Sequence, residues 1–77
     1  MTITLLFFGS LTDITKVDKI QLQDITDTDS LKKELNKRYP SIAGAKYFLA
    51  VNQELQEWNH ILTDGDTVAL MPPFSGG

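Results

Sequence analysis

The sequence predicts an α+β domain in which one main helix lies across a small mixed sheet. Three observations lead there. Apolar residues alternate in the runs Thr2 to Phe8, Lys19 to Gln23 and Thr67 to Met71, as half-buried strands require. One longer stretch repeats at helical spacing instead, with Leu31, Leu35 and Tyr39 at i, i+4 and i+8. The elements run strand, strand, helix, strand, short strand, strand, an order that packs one helix on one face of the sheet.

Thr2 to Phe8 is rich in β-branched and aromatic residues. Ile3, Leu5 and Phe7 share one face, and Thr4, Leu6 and Phe8 the other. Both faces turn apolar at the distal end, which marks a central strand with part of its second side covered. Gly9 and Ser10 break the strand, and Leu11 and Ile14 anchor one helical turn. In the second strand, antiparallel to the first, Ile20 and Leu22 point inward. Aspartates at 24, 27 and 29 follow at a spacing that matches no calcium loop, so no metal site is expected. Thr28 is expected to cap the helix, with Asp29 in its first turn where negative charge is favourable. Lys32, Lys33, Glu34, Lys37 and Arg38 take the side opposite the apolar stripe, with Glu34 placed to pair with Arg38. This basic face reads as solvated, or as a surface for an acidic partner. Pro40 ends the helix.

Ile42 to Lys46 reads as a connection, Tyr47 to Val51 as the third strand and Asn52-Gln53-Glu54 as a turn. Leu55 to Asn59 is expected as a short edge strand displaying Trp58. Leu62 plugs the core before Asp64-Gly65-Asp66, a tight turn whose glycine supplies positive φ. Thr67 to Met71 is the last strand, with Val68 and Leu70 inward and Ala69 and Met71 outward. If the first and last strands are parallel central neighbours, Phe8 and Met71 meet on the face away from the helix. That apolar patch is too large to be idle on so small a surface, and Leu55 on the short strand joins it.

Composition narrows the function. Seventy-seven residues without cysteine lie near the lower limit for a single core, and exclude thiol side-chain chemistry. The absence of cysteine is consistent with the cytoplasm. A net charge of −3 argues against nucleic acid, which calls for a basic face. The start Met1-Thr2-Ile3-Thr4 lacks the pattern of a signal peptide, and no run approaches the ~20 apolar residues of a membrane span. His60, the sole histidine, has no carboxylate or second ligand at a telling spacing and reads as a loop residue.

Residues 1–71 thus read as the domain, and 72–77 as an extended tail that it holds out. Pro72 and Pro73 favour extended backbone, so Pro72-Pro73-Phe74-Ser75-Gly76-Gly77 leaves in a defined direction. Six extended residues reach about 20 Å. Phe74 begins the extension as an apolar anchor, and Gly76 and Gly77 can thread a channel too narrow for any side chain. With glycine at ~7% of residues, a terminal Gly-Gly arises by chance in roughly one chain in 200, which favours a functional tail over a frayed end.

The Leu6-Phe7-Phe8 start, Ala50-Val51-Asn52-Gln53, Leu62-Thr63-Asp64-Gly65-Asp66 and the Pro72-Pro73-Phe74-Ser75-Gly76-Gly77 tail together resemble the small subunit of molybdopterin synthase. The resemblance covers nearly the whole chain, is most specific over the last sixteen residues and weakest over 11–46. It implies the ubiquitin-like β-grasp fold. It also implies a cycle on the Gly77 carboxylate: a ubiquitin-activating-like adenylyltransferase uses ATP to form an acyl-adenylate, and a sulfur donor displaces AMP to leave a thiocarboxylate. The large synthase subunit, in an expected heterotetramer, then accepts the tail, and sulfur passes to a pterin precursor to build the molybdopterin dithiolene. On that reading the chain is a carrier and co-substrate rather than a catalyst, with no bound cofactor. Gly77 is the reacting residue, Gly76 and Ser75 thread the channel, and Phe8, Leu55, Met71 and Phe74 bind the partner. The thiamine-pathway sulfur carrier, a ubiquitin-like modifier and a plain binding module with an inert tail remain as alternatives.

Overall fold

The computed structural model describes residues 1–73, so the expectations for Phe74, Ser75, Gly76 and Gly77 lie outside the described residues. The elements are β1 (Thr2–Phe7), α1 (Leu11–Thr15), β2 (Lys19–Gln23), α2 (Thr28–Arg38), β3 (Phe48–Val51), β4 (Glu54–Leu55) and β5 (Thr67–Met71), with a 3₁₀ helix at Pro40–Gly44. The five strands form one mixed sheet in the order β2-β1-β5-β3-β4. β1 and β5 are parallel at its centre, with Leu5 opposite Val68 and Phe7 opposite Leu70. The other pairings are antiparallel.

Alternation puts Ile3, Leu5, Phe7, Leu22, Leu49, Val51, Val68 and Leu70 on one face, all buried. Leu31 and Leu35 of α2 are fully buried with them, and Tyr39 meets Phe7 edge-on with ring centroids 5.9 Å apart. Leu11, Ile42 and Leu62 close the ends of this core. Arg38 Nε lies 3.1 Å from Glu34 Oε2, the pair expected from the i,i+4 spacing.

Two sequence motifs prove to be one network. Asn52 and Gln53 turn the β3–β4 hairpin with φ of 50° and 72°, left-handed angles that asparagine tolerates best among residues with side chains. The Asn52 side-chain amide donates to Asp66 Oδ1 at 2.9 Å, while its Oδ1 accepts from the Thr67 N–H at 3.0 Å. Asp66 Oδ2 accepts from the Thr63 N–H at 2.8 Å. That backbone bond first, and the Asn52 amide second, hold the Asp66 carboxyl below its ordinary value of 3.8.

Several expectations need correction. Thr28 is the first residue of α2 rather than its cap; Asp27 takes the cap position in extended conformation. The Asp29 N–H is satisfied from thirty residues away, by Asn59 Oδ1 at 2.9 Å. Asn59 also accepts from the Thr28 hydroxyl at 3.2 Å and donates to Asp27 at 2.8 Å. Thr28 is buried, and its oxygen accepts the His60 N–H. The connection after Pro40 is a 3₁₀ helix that buries Ile42. Leu55 to Asn59 is not a strand throughout: β4 stops at Leu55, and Trp58 stands 83% exposed beyond it.

Candidate docking and tail-exit site

The outer face of the sheet changes character along the strands. Its first row, Thr4 beside Thr67, is polar. The next runs Leu6, Ala69, Ala50 and Leu55 across four strands in register. Beyond it lie Phe8, whose N–H donates to the Leu70 carbonyl, and Met71 opposite Phe48. Two alanines flanked by larger side chains make a hollow floor, and among the described residues no element packs over it. Two adjoining depressions result, and both are lined by Phe8, Leu55 and Met71.

Three of the four apolar residues expected to bind a partner therefore converge on one surface. Phe8 is 47% exposed and Leu55 64%, while Met71 is half-buried between them. Phe48, 52% exposed, belongs to the same surface and was missed by sequence reasoning. The signal was present: with Leu49 and Val51 inward, alternation sends Phe48 and Ala50 outward. Trp58 lines neither depression.

The last described residues lie beside this surface. Pro72 and Pro73 line the larger depression together with Phe8 and Met71. Gly9 has φ +56°, and a Cβ placed there would stand 2.9 Å from Pro72 Cγ, so the proline ring sits in space that a larger residue would claim. The bare backbone of Gly9 and the fixed φ of proline together let Pro72 seat closely against the end of β1.

Among the described residues no group of three His, Cys, Asp or Glu side chains is placed to hold a metal, and no helix is long and apolar enough to cross a membrane. Ser10, Asp13 and Lys46 also line the larger depression, and no side-chain hydrogen bond or ion pair joins them among the described residues. Its lining suits it to binding a protein and presenting a chain end.

The sequence profile of the ThiS family matches residues 5–77. The chain belongs to the ThiS family. A curated relative, the molybdopterin synthase sulfur carrier subunit of Mycobacterium tuberculosis, is 31% identical over 97% of this chain and 96% of its own. A putative molybdopterin converting factor, subunit 1, from Pyrococcus furiosus superposes with a TM-score of 0.89 at 21% identity, covering 96% of this chain and 99% of the other. That likeness shows a shared fold, the ubiquitin-like β-grasp. A complex of subunits 1 and 2 of molybdopterin-converting factor from Helicobacter pylori contains a chain 28% identical to this one, with a TM-score of 0.76 and full coverage of both chains. In this ThiS family member, residues 11–46 complete the same fold, although they carried little of the resemblance.

Proposed function

We propose that this chain is the sulfur carrier subunit of a molybdopterin synthase, with sulfur carried on the carboxyl group of Gly77. One observation carries the reading: an apolar surface of Phe8, Phe48, Leu55 and Met71, uncovered among the described residues, adjoins Pro72 and Pro73 at the base of the tail. A carrier needs that juxtaposition, because the partner that grips the domain must also receive its end. The likeness to subunits found in complex supports a large-subunit partner.

A carboxylate is a poor electrophile, so it must first be activated. The Gly77 carboxylate attacks the α-phosphate of ATP held by an adenylyltransferase of the ubiquitin-activating type, pyrophosphate leaves, and an acyl-adenylate forms. A sulfur nucleophile then displaces AMP and leaves a thiocarboxylate. In the synthase the large subunit takes the tail; the thiocarboxylate sulfur bonds to a carbon of the pterin precursor as an oxygen substituent leaves, and water then cleaves the acyl–sulfur bond to return the Gly77 carboxylate, so that two such transfers supply the two sulfurs of the dithiolene. Acid–base groups and ATP come from the partners; this chain contributes the grip and the reach.

The test is a pyrophosphate-exchange assay with the activating enzyme beside intact mass spectrometry of the chain from its native host. Deleting Gly77 withdraws the reacting carbon by ~3.3 Å. Since misplacement by ~1 Å can cost about a hundredfold in rate, no exchange is expected from the deletion, while binding to the large subunit persists. The wild-type mass should show one oxygen replaced by sulfur. Full exchange from the deletion would refute the carrier reading. Lysine-linked conjugates through Gly77 would reassign the chain as a modifier, and co-purification with thiamine-pathway enzymes would reassign the pathway.

A further inference from the structure

The charges of this acidic chain are unevenly placed. Residues 30–53 hold five basic side chains against one acidic, whereas the remainder holds two against nine. The single acid, Glu34, is taken up by Arg38. Lys32, Lys33, Lys37 and Lys46 are exposed and make no ion pair among the described residues.

Tertiary structure gathers part of this surplus at a particular place. Lys32 and Asn36 of α2 face Lys46 and Tyr47 across a shallow notch beside the 3₁₀ helix. Burial raises the Tyr47 phenol above its ordinary value of 10.0, so it stays protonated and able to donate. Two ammonium groups, an amide and a phenol supply donors for carboxylates. Ala45 and Lys46 also line the larger depression with Phe8, Met71, Pro72 and Pro73, where Asp13 is the one carboxylate among the described residues, so notch and depression are continuous.

We infer that the notch of Lys32 and Lys46 meets an acidic segment of the protein that adenylates the tail. The inference rests on the carrier reading. It selects the activating protein because a large subunit is found in complex with a chain of this kind, a lasting association that the apolar surface serves, whereas the activating encounter is brief and gains most from steering by charge. Opposite charges beside a docking surface raise association rates more than they prolong residence. The apolar surface supplies hold for either partner; the basic notch favours the one with carboxylates opposite it.

The test compares Lys32→Glu/Lys46→Glu with Lys16→Glu/Lys19→Glu, which makes the same charge change at exposed sites away from the notch. Association with the activating enzyme is followed by stopped flow from 50 mM to 500 mM salt, alongside adenylation kinetics and thermal melts. The notch variant should associate about tenfold or more slowly at low salt, a gap that closes at high salt. Its saturated adenylation rate and melting temperature should match wild type. The control should lose less than threefold. Equal losses in both variants would reduce the effect to net charge and overturn the inference, as would an unchanged rate in the notch variant. A loss confined to large-subunit binding would overturn the choice of partner. Failure of the wild-type chain to be adenylated at all would instead count against the carrier reading itself.

Discussion

Replacing Phe8 by alanine probes the proposed interface most directly. An aromatic side chain presents roughly 150–250 Å² of surface. With Phe8 47% exposed, about 100 Å² remains for a partner to cover. At ~25 cal/mol per Å² that burial amounts to about 2.5 kcal/mol, of which alanine recovers a little. The expected loss of about 2 kcal/mol is roughly thirtyfold in Kd. The other half of the ring is already packed within the fold, so stability falls as well, by a similar amount and roughly 10 °C in Tm. Calorimetry against the large subunit should therefore be run well below the mutant's melting temperature. Trp58→Ala is the control, since Trp58 is more exposed but lies off the surface. An unchanged Kd for Phe8→Ala, or an equal loss for Trp58→Ala, would refute the placement of the interface.

Leu35→Ala removes a fully buried side chain from the helix–sheet contact and should cost about 2–5 kcal/mol in urea melts; a loss under ~0.5 kcal/mol would mean that the site collapses without penalty. Asn59→Ala removes the acceptor of the Asp29 N–H and should cost about 1–2 kcal/mol, with faster amide exchange concentrated in the first turn of α2. Asp66 has a lowered carboxyl value in the fold, so its contribution is full above its ordinary 3.8 and is lost as pH falls through the lower folded value. Asp66→Asn should accordingly be less stable at pH 7, and the gap to wild type should narrow below about pH 4 in acid-unfolding curves. A gap that stays constant across that range would assign the loss to packing instead.

Local rules determined four of the five strands, the helix stripe and the outward placement of Phe8, Ala69 and Met71. Each depends on side-chain alternation or helical spacing, which the backbone imposes wherever the element forms. The Glu34–Arg38 pair and the positive φ at Gly65 were legible for the same reason. What only the tertiary structure decided are contacts between segments far apart in sequence. Thr28 has the composition of a cap, yet Asn59 satisfies the helix end because the chain after β4 passes close to it. Ile42 follows a helix-ending proline and reads as connection, yet the core had space for it, and a 3₁₀ helix was the way to fill that space. Leu55 to Asn59 read as an edge strand displaying Trp58, but β4 ended once Leu55 had paired with Ala50. The seating of Pro72 on Gly9 and the notch shared by Lys32 and Lys46 belong to this second kind. Periodicity tells which face a residue takes; which residues of other elements share that place is settled by how the sheet, the helix and their connections pack.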